Sequence, residues 1–426
     1  MNKDIYKTSR ILYVVEEAAA YLITLLISGA YLARLTLYLG FSDSLTALLS
    51  SFVNLGYVFQ LLAISIFKGS SVKRKVTIFY LANELFFVML YVTPFIKVSP
   101  YLRTVIFIIF LLAGHFILNI ASSPKTNWFM TLIPDKTRGR FTAFKEAVSL
   151  VCGIAFTFFT GIIVDYYEEI GNTEASFIVC SIIIFALMVT HILALIFSKE
   201  KESVQSNDKG SSFFNIKDTI CDKKIFSIVF LNVLWSVSMC FSTPFFGTYQ
   251  VKELGFSMTF VAVLTTLTAV SRIIASIFLG IYADKNSFAK MLRICYIFAV
   301  ISFIASALAV PSNGQVMFSL HYIFYGAAMG GINSAQINLI YDYVCPEKRK
   351  DTLSIKNTFC GFFGFGTTVV ATPLLNHLQK ANLGFFGVHI YAQQIFSFIS
   401  IIMTTLLIVY VTSIINNKKD LKSSTP

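Results

Sequence analysis

Charged residues are scarce in this sequence. They make up 13% of the 426 residues, against 56% hydrophobic residues and a mean hydropathy of +0.73. A soluble globular chain carries roughly 25% charged residues, so this charge cannot cover a soluble surface of such size. The apolar residues come in runs about 20 long, the length of helix that crosses a hydrocarbon core of ~30 Å. We therefore predict an all-α polytopic membrane protein, and the lack of polar alternation over 182–197 excludes a β-barrel.

Catalytic and metal-binding motifs are also missing. The seven cysteines form no CxxC pair and mostly lie inside apolar runs, so we expect no disulfide framework, metal site or other cofactor. No HExxH or GxSxG pattern indicates an intramembrane enzyme, and no Walker-type loop indicates direct use of ATP. We expect no enzymatic activity. The net charge of +12 fits basic cytoplasmic loops rather than nucleic-acid binding, and we expect a monomer.

The chain repeats itself. The sequence LGFS at 39–42 recurs at 254–257, a separation of 215 residues. A second set of matches, including Gly114 with Gly326 and Ile120 with Ile332, has a separation of 212. Repeats of this length indicate that one unit of about 200 residues was built twice in the same order.

The apolar runs predict twelve transmembrane helices, six in each repeat. A polar segment divides the repeats, which predicts an N-terminal bundle (1–198), a cytoplasmic linker (199–224) and a C-terminal bundle (225–426). Within the linker, Phe213, Phe214, Ile216 and Ile220 recur near helical spacing, which fits either a short interfacial helix or the start of span seven. The predicted spans are 17–39, 44–67, 76–96, 102–124, 143–165, 175–198, 225–249, 258–282, 290–310, 315–341, 355–377 and 390–415.

The positions of lysine and arginine predict the orientation. With the N-terminus inside, 28 of the 34 basic residues fall in cytoplasmic segments and four in outside loops, so both termini are expected in the cytoplasm. The polar start, residues 1–10, argues against a cleavable signal peptide. Because each unit has an even number of spans, the halves are expected to be parallel repeats with the solute site near the midplane between them.

The loop after span eight resembles a known signature. Gly280 to Lys285 reads GIYADK, with Lys290 and Arg293 following. This is similar to the signature loop of the major facilitator superfamily, and the resemblance covers nearly the whole chain. It implies that Asp284 is a latch carboxylate of the cytoplasmic gate and that Lys285 is one of its basic partners. At the repeat-equivalent position the first half has Gly69, so we assign no latch there.

A second loop also resembles that superfamily. Residues 132–140 read LIPDKTRGR, and Arg138 and Arg140 would pair with neighbouring cytoplasmic loops. Simple positive-inside bias is the alternative. The resemblance implies a bacterial cell-membrane transporter, symporter or antiporter, that moves a small solute by alternating access and is coupled to protons or another ion. Span five lacks the proline motif of drug/proton antiporters, which disfavours multidrug efflux without excluding it. A solute sensor of the same fold is a further alternative.

Polar groups inside the predicted spans are the candidate solute-binding residues, because such groups are costly in a bilayer and mark function. Arg272, near the middle of span eight, would suit an anionic solute, since guanidinium binds carboxylate or phosphate in two places. Structural pairing and interhelical hydrogen bonds are the alternatives, and Gly326 with Gly330 predicts close helix packing. The candidate set is Arg272, Asn232, Trp235, Asn333, Gln336, Asn119 and Arg34.

Two titratable residues are candidates for proton coupling. Glu84 lies well inside span three, and His115 lies in span four. Burial would favour a protonated Glu84, which would suit proton exchange. The alternative for each is a structural hydrogen bond or ion pair.

Overall fold

The computed structural model describes residues 5–67, 71–134, 138–200, 222–344, 346–381, 384–385 and 388–416. Within these ranges the regular elements are helices, apart from one hairpin of two short strands, β1 (Gly384–Phe385) and β2 (Val388–His389). This confirms the predicted all-α class. By contact density the described residues fall into two compact units. The first holds the residues up to 200 together with Ser257–Ala262, and the second holds 222–256 and the residues from 263 onward.

The helices of the first half follow the predicted apolar runs with shifted ends. Ser99 caps the start of α7 by accepting a hydrogen bond from Leu102 N–H, and Pro100 fits the first helical position. The helices are α1 (Lys7–Leu26), α2 (Gly29–Tyr38), α3 (Asp43–Ser50), α4 (Phe52–Val58), α5 (Ala63–Ile66), α6 (Val72–Val92), α7 (Pro100–Met130), α8 (Arg138–Glu169) and α9 (Thr173–Phe197).

The helices of the second half include one broken span. Span seven consists of α10 and α11, followed by a π-helical turn at Tyr249–Glu253. The helices are α10 (Lys223–Cys240), α11 (Thr243–Thr248), α12 (Met258–Lys285), α13 (Phe288–Ala307), α14 (Gly314–Tyr343), α15 (Pro346–Ala381) and α16 (Ala392–Asn416).

The repeated LGFS sequence is a helix stop followed by a helix start. Gly40 and Gly255 both adopt left-handed backbone, with φ of +77° and +64°, which ends the preceding helix without a Cβ clash. Two residues later, Ser42 accepts a hydrogen bond from Leu45 N–H and Ser257 accepts one from Phe260 N–H. The same four residues thus form the same turn in each half, which gives the repeated sequence a structural role.

The first span of each half is discontinuous at a matching place. In the first half α1 and α2 meet at a bend of 43° just before Gly29. In the second half the break between α10 and α11 falls at Phe241 and Ser242, and 215 residues separate Ile27 from Ser242. Discontinuous helices at equivalent places in two repeats are typical of transporters, where freed backbone groups serve solutes and ions.

The number of membrane spans is compatible with twelve. Nine of the described helices are long and apolar enough to cross a bilayer, and the bent pair α1–α2 makes a tenth. The predicted span 44–67 is divided among α3, α4, a 3-10 turn and α5, while the predicted span 315–341 lies in the single helix α14. Twelve spans stay a prediction, as do the bundle boundaries at 198 and 225. Most of the linker, including Phe213 to Ile220, lies outside the described residues.

Candidate functional site

Ionisable side chains from five helices of the first unit meet in one buried group. Glu16 and His191 are fully buried, and the side chains of Lys125 and Glu84 are only 5% and 3% exposed. We call the whole group the buried charge cluster. Its members are Glu16 and Glu17 on α1, Glu84 on α6, Lys125 on α7, Lys145 on α8 and His191 on α9.

The two lysines hold the carboxylates of α1. Lys125 Nζ lies 2.8 Å from Glu16 Oε2 and 3.0 Å from Glu17 Oε1, so it bridges two carboxylates. Lys145 Nζ lies 2.8 Å from Glu17 Oε2. Each ammonium also faces an aromatic ring: Lys125 lies 4.6 Å from the Tyr80 ring centre and Lys145 lies 4.8 Å from that of Tyr13.

His191 lies between Glu84 and Glu16. Its Nδ1 lies 2.5 Å from Glu84 Oε1, and its Nε2 lies 3.0 Å from Glu16 Oε2. The other oxygens of these carboxylates, Glu16 Oε1 and Glu84 Oε2, have no hydrogen-bond partner within the described part of the chain. The imidazole therefore hydrogen-bonds Glu84 through Nδ1 and lies within ion-pair distance of Glu16 through Nε2, which has no hydrogen-bond partner among the described residues.

The helix register explains how α1 contacts both the lysine of α8 and the histidine of α9. Consecutive residues of an α-helix point about 100° apart, so Glu16 faces α9 while Glu17 faces α8. The lysines and the histidine of the cluster lie toward one end of their helices, while Glu16, Glu17 and Glu84 lie near the middle of theirs. Lys125 lies five residues before the end of α7, and His191 lies six residues before the end of α9. With the predicted orientation, that is the cytoplasmic side.

The cluster balances its charge only when it holds one proton. Its three carboxylates and two ammonium groups sum to −1, and a proton on the Glu84–His191 pair brings these six side chains to zero. An uncompensated charge in a membrane-buried site costs several kcal/mol in order of magnitude. By this count the balancing proton belongs to the Glu84–His191 contact.

Only one residue of the predicted site set belongs to this cluster. Glu84 was a predicted proton-coupling residue, and the structure pairs it with His191. His115 lies apart, 5% exposed, with its ring centre 5.4 Å from that of Phe87 and Nδ1 without a hydrogen-bond partner among the described residues. Asn119 Nδ2 donates to the His115 carbonyl at 2.9 Å, so its amide binds backbone of its own helix.

Arg34 has a partner near the other end of the first unit. Its side chain is 11% exposed and forms an ion pair with Glu168 of α8. The structure thus gives Arg34 an ion-pair partner, and a solute role for it stays a prediction.

The predicted residues of the second unit are spread over three helices. Trp235 is 4% exposed and packs with Tyr296 in the hydrophobic core, at 5.3 Å between ring centres. Asn232 Nδ2 donates to Ile228 O at 2.7 Å, while its Oδ1 has no hydrogen-bond partner within the described ranges. Of the two α14 residues, Asn333 is exposed and Gln336 is half-buried.

Arg272 is half-buried on α12, at the helix contact that the glycine pair makes. A Cβ built on Gly330 would lie 2.8 Å from the Arg272 carbonyl oxygen, and one built on Gly326 would clash with the Thr268 carbonyl. This confirms the predicted close packing at these two glycines. A solute role for Arg272 stays a prediction.

Only part of the predicted cytoplasmic gate lies within the described residues. The side chains of Arg138, Arg140 and Asp284 lie outside the described part of the structure. Lys285 ends α12 and is exposed. Their roles stay predictions.

Sequence reasoning missed five members of the cluster. The placement of the helix ends explains four of them (Glu16, Glu17, Lys125 and Lys145), whereas His191 lay inside the predicted span 175–198. The prediction began span one at residue 17 and ended span four at residue 124, whereas α1 begins at Lys7 and α7 runs to Met130. Glu16 and Glu17 thus lie well inside a helix, as Glu84 does. The detectable signal was an acidic pair flanked on both sides by apolar residues, 11–15 and 18–20.

The comparisons with known proteins agree with this architecture. The sequence model described as Major Facilitator Superfamily matches residues 17–368. The chain therefore belongs to this superfamily and is a multi-pass membrane transporter rather than an enzyme, as the sequence predicted. A comparison with curated proteins found no match.

Solved transporters share the fold at low sequence identity. A variant of the nucleoside transporter NupG aligns with a TM-score of 0.73 and 12% identity, covering 95% of this chain and 99% of that one. A D-xylose-proton symporter gives 0.71 and 15%, covering 95% and 97%. The Fucose:proton symporter FucP from E. coli gives 0.56 and 14%, covering 95% and 98%. Likenesses at this identity show the fold alone.

Proposed function

We propose that this protein is a proton-coupled secondary transporter of a small polar solute, working by alternating access. The observation that carries the proposal is the buried charge cluster, which lacks one positive charge unless it holds a proton. Two structural neighbours, a D-xylose-proton symporter and a Fucose:proton symporter, are consistent with a neutral polar solute and a proton as the coupled ion. A nucleoside is a further candidate of the same chemical kind.

The energetic reason is desolvation. In the protonated form, Glu84 and His191 share a proton, and each of Glu16 and Glu17 faces an ammonium group. When the proton leaves, a net negative charge stays inside a low-dielectric bundle, and the arrangement that admits water becomes favoured. Proton release therefore biases the first unit between two arrangements, which is what coupling to an ion gradient requires.

The helices involved connect the cluster to the solute candidates. Lys125 lies on α7, the helix that carries His115 and Asn119 one to three turns away. Glu16 lies on α1, which joins the bent α2 segment. We infer that protonation acts on solute binding by shifting α1 and α7, since both helices carry cluster residues and polar side chains nearer the bilayer centre.

The test is a solute-driven proton flux. Purified protein in liposomes that enclose a pH-sensitive dye is exposed to a panel of nucleosides, pentoses, hexoses, organic anions and amphipathic cations. We expect at least one neutral polar solute to acidify the lumen with the wild type. Glu84→Gln should abolish acidification while retaining exchange of labelled for unlabelled solute, because exchange needs no net proton movement.

Glu169→Gln is the matched control, since Glu169 is an exposed carboxylate beyond the cluster. It should behave as the wild type. Solute transport without proton flux, or equal flux in Glu84→Gln, would contradict proton coupling through the cluster. Proton flux in the opposite direction, evoked only by amphipathic cations, would instead support drug efflux by the same fold.

A further inference from the structure

A cavity of about 330 Å³ lies within the second unit, between the end of span seven, the end of α15 and the start of α16. Small-molecule sites in proteins measure roughly 300–1,000 Å³, so this cavity is large enough for a small ligand. With the predicted orientation it lies on the outer side. We call it the Gln393 cavity. Its lining includes Lys252, Glu253, Leu378, Ile390, Tyr391 and Gln393.

The charged residues of the lining stand on a π-helical turn, Tyr249–Glu253. Such turns are rare in proteins and frequently occur at functional sites. The Tyr249 hydroxyl donates to the Ala309 carbonyl at 2.6 Å, and the Tyr249 ring centre lies 5.4 Å from that of Tyr391. The backbone that carries the two charged side chains is thus held in place by contacts within the second unit.

Two neighbouring glutamines at the start of α16 differ in how their amides are used. Gln394 Nε2 donates to the Ala307 and Ala309 carbonyls, at 3.1 and 2.8 Å, and Gln394 Oε1 accepts from Tyr391 N–H at 2.9 Å. Gln393 is only 1% exposed, and its Nε2 has no hydrogen-bond partner among the residues that the structure describes. A buried donor without an acceptor is costly. We therefore expect an acceptor to reach Gln393 from the cavity that this residue lines.

The two charged side chains indicate what kind of ligand fits. Lys252 Nζ and Glu253 Oε1 lie 3.9 Å apart, beyond hydrogen-bond distance. An ammonium and an amide N–H both donate to an anionic oxygen, whereas a carboxylate accepts from a cationic group. A ligand with a single charge would face a like charge on one side of the cavity. A ligand that carries both charges close together complements Lys252, Glu253 and Gln393 at once.

We propose that the Gln393 cavity binds a small zwitterion, with its anionic oxygen held by Gln393 Nε2 and Lys252 and its ammonium held by the Glu253 carboxylate. A free α-amino acid has this chemistry, because one carbon carries both charges. The phosphoethanolamine headgroup of a lipid has it as well. The site is separate from the buried charge cluster, whose members all belong to the first unit. It goes beyond the proposed function, and either proposal can fail without the other.

The test titrates the melting temperature of the purified wild type in detergent against four compounds: L-alanine, O-phosphoethanolamine, propionate and ethylamine. A ligand of the folded state raises the melting temperature with its concentration. We expect a rise with at least one of the two zwitterions. Propionate and ethylamine, which each carry one charge of L-alanine, should give none. Tighter binding of L-alanine would assign the site to a free amino acid, and tighter binding of O-phosphoethanolamine would assign it to a lipid headgroup.

The two glutamines provide a matched pair of variants. Gln393→Leu removes the amide at similar volume, so the Kd of the bound zwitterion should rise about tenfold or more, because a hydrogen bond to a charged group is lost. Without ligand this variant should melt no lower than the wild type, because a buried donor that lacks an acceptor is removed. Gln394→Leu should melt lower, because the Ala307 and Ala309 carbonyls lose their donor.

A charge variant gives a second reading should Gln393→Leu fail to fold. Glu253→Gln should also raise the Kd about tenfold, whereas Glu169→Gln, an exposed carboxylate of the first unit, should leave it unchanged. A purely structural role for Gln393 predicts a lower melting temperature in Gln393→Leu with an unchanged Kd. That result, no rise with either zwitterion, or an equal rise with propionate would overturn the proposal.

Discussion

The two halves of this transporter repeat one another in fold and differ in what they bury. Shifting by the repeat offset of 215 takes Glu16 to Leu231 and Glu84 to Ala299, and the offset of 212 takes Lys125 to Ile337. Leu231 and Ala299 belong to the hydrophobic core of the second unit, with Trp235 and Tyr296. At the places of Glu16 and Glu84 the second half therefore has buried apolar residues, whereas Ile337, at the place of Lys125, is 48% exposed.

That difference argues against a purely structural role for the cluster. Buried ion pairs add little net stability, because desolvation offsets much of their attraction, and apolar replacements of similar volume are often neutral or stabilising. Stability therefore does not explain why the first half has charged residues where the second half has leucine and alanine. Reversible proton binding supplies one.

The largest expected effect comes from removing one partner alone. Lys125→Met would leave Glu16 without its ammonium and Glu17 with only Lys145, inside the bundle. We expect a loss of about 3–5 kcal/mol of stability, seen as a lower melting temperature in detergent. Lys252→Met, which breaks an exposed pair at 3.9 Å in the second unit, should cost about 1 kcal/mol or less.

Giving the first half the residues of the second should largely restore stability. In the double variant Glu16→Leu with Lys125→Ile, Glu17 keeps Lys145 and Glu84 keeps His191. We expect melting within about 1–2 kcal/mol of the wild type, because both members of the pair leave together, yet weaker proton coupling in the liposome assay. A double variant as unstable as Lys125→Met would show that these charges hold the fold together.

The pH dependence of solute binding should distinguish the halves further. Binding should be strongest at acidic pH, where the Glu84–His191 pair holds its proton, and should weaken as the pH rises and the proton is lost. His191→Gln should flatten this dependence by removing the titrating imidazole, while His321→Gln, a buried histidine of the second unit bonded to Ser302, should preserve it. Isothermal calorimetry across the pH range measures this, and an unchanged pH profile in His191→Gln would contradict the assignment.

The smallest effect should be equal in the two halves. Gly40→Ala and Gly255→Ala each place a Cβ on left-handed backbone, which costs roughly 1 kcal/mol. Similar small drops in melting temperature for both, with none for Gly366→Ala, would confirm that the LGFS turn does the same work twice. A large difference between the two drops in melting temperature would show that the repeated sequence does not have the same structural role in both halves.

The sequence could predict the repeated all-helical architecture because apolar runs and turn residues are local signals. Gly40 and Ser42 mark the end of one helix and the start of the next within four residues, and Gly255 and Ser257 do the same in the second half. The site was harder to predict because it depends on contacts between distant helices. His191 is unremarkable along α9, and its importance comes from Glu16 and Glu84, which the fold places against its two ring nitrogens. Charged residues near helix ends resemble loop residues until the helix boundaries are known.

The most direct test of the central claim needs no solute. Infrared difference spectra of the purified protein between acidic and alkaline buffer report protonated carboxyl and imidazole groups. We expect one proton-exchange signature per protein that is absent from both Glu84→Gln and His191→Gln and present in Glu169→Gln. Identical difference spectra in the wild type and in the two cluster variants would show that the buried charge cluster does not exchange the proton assigned to it.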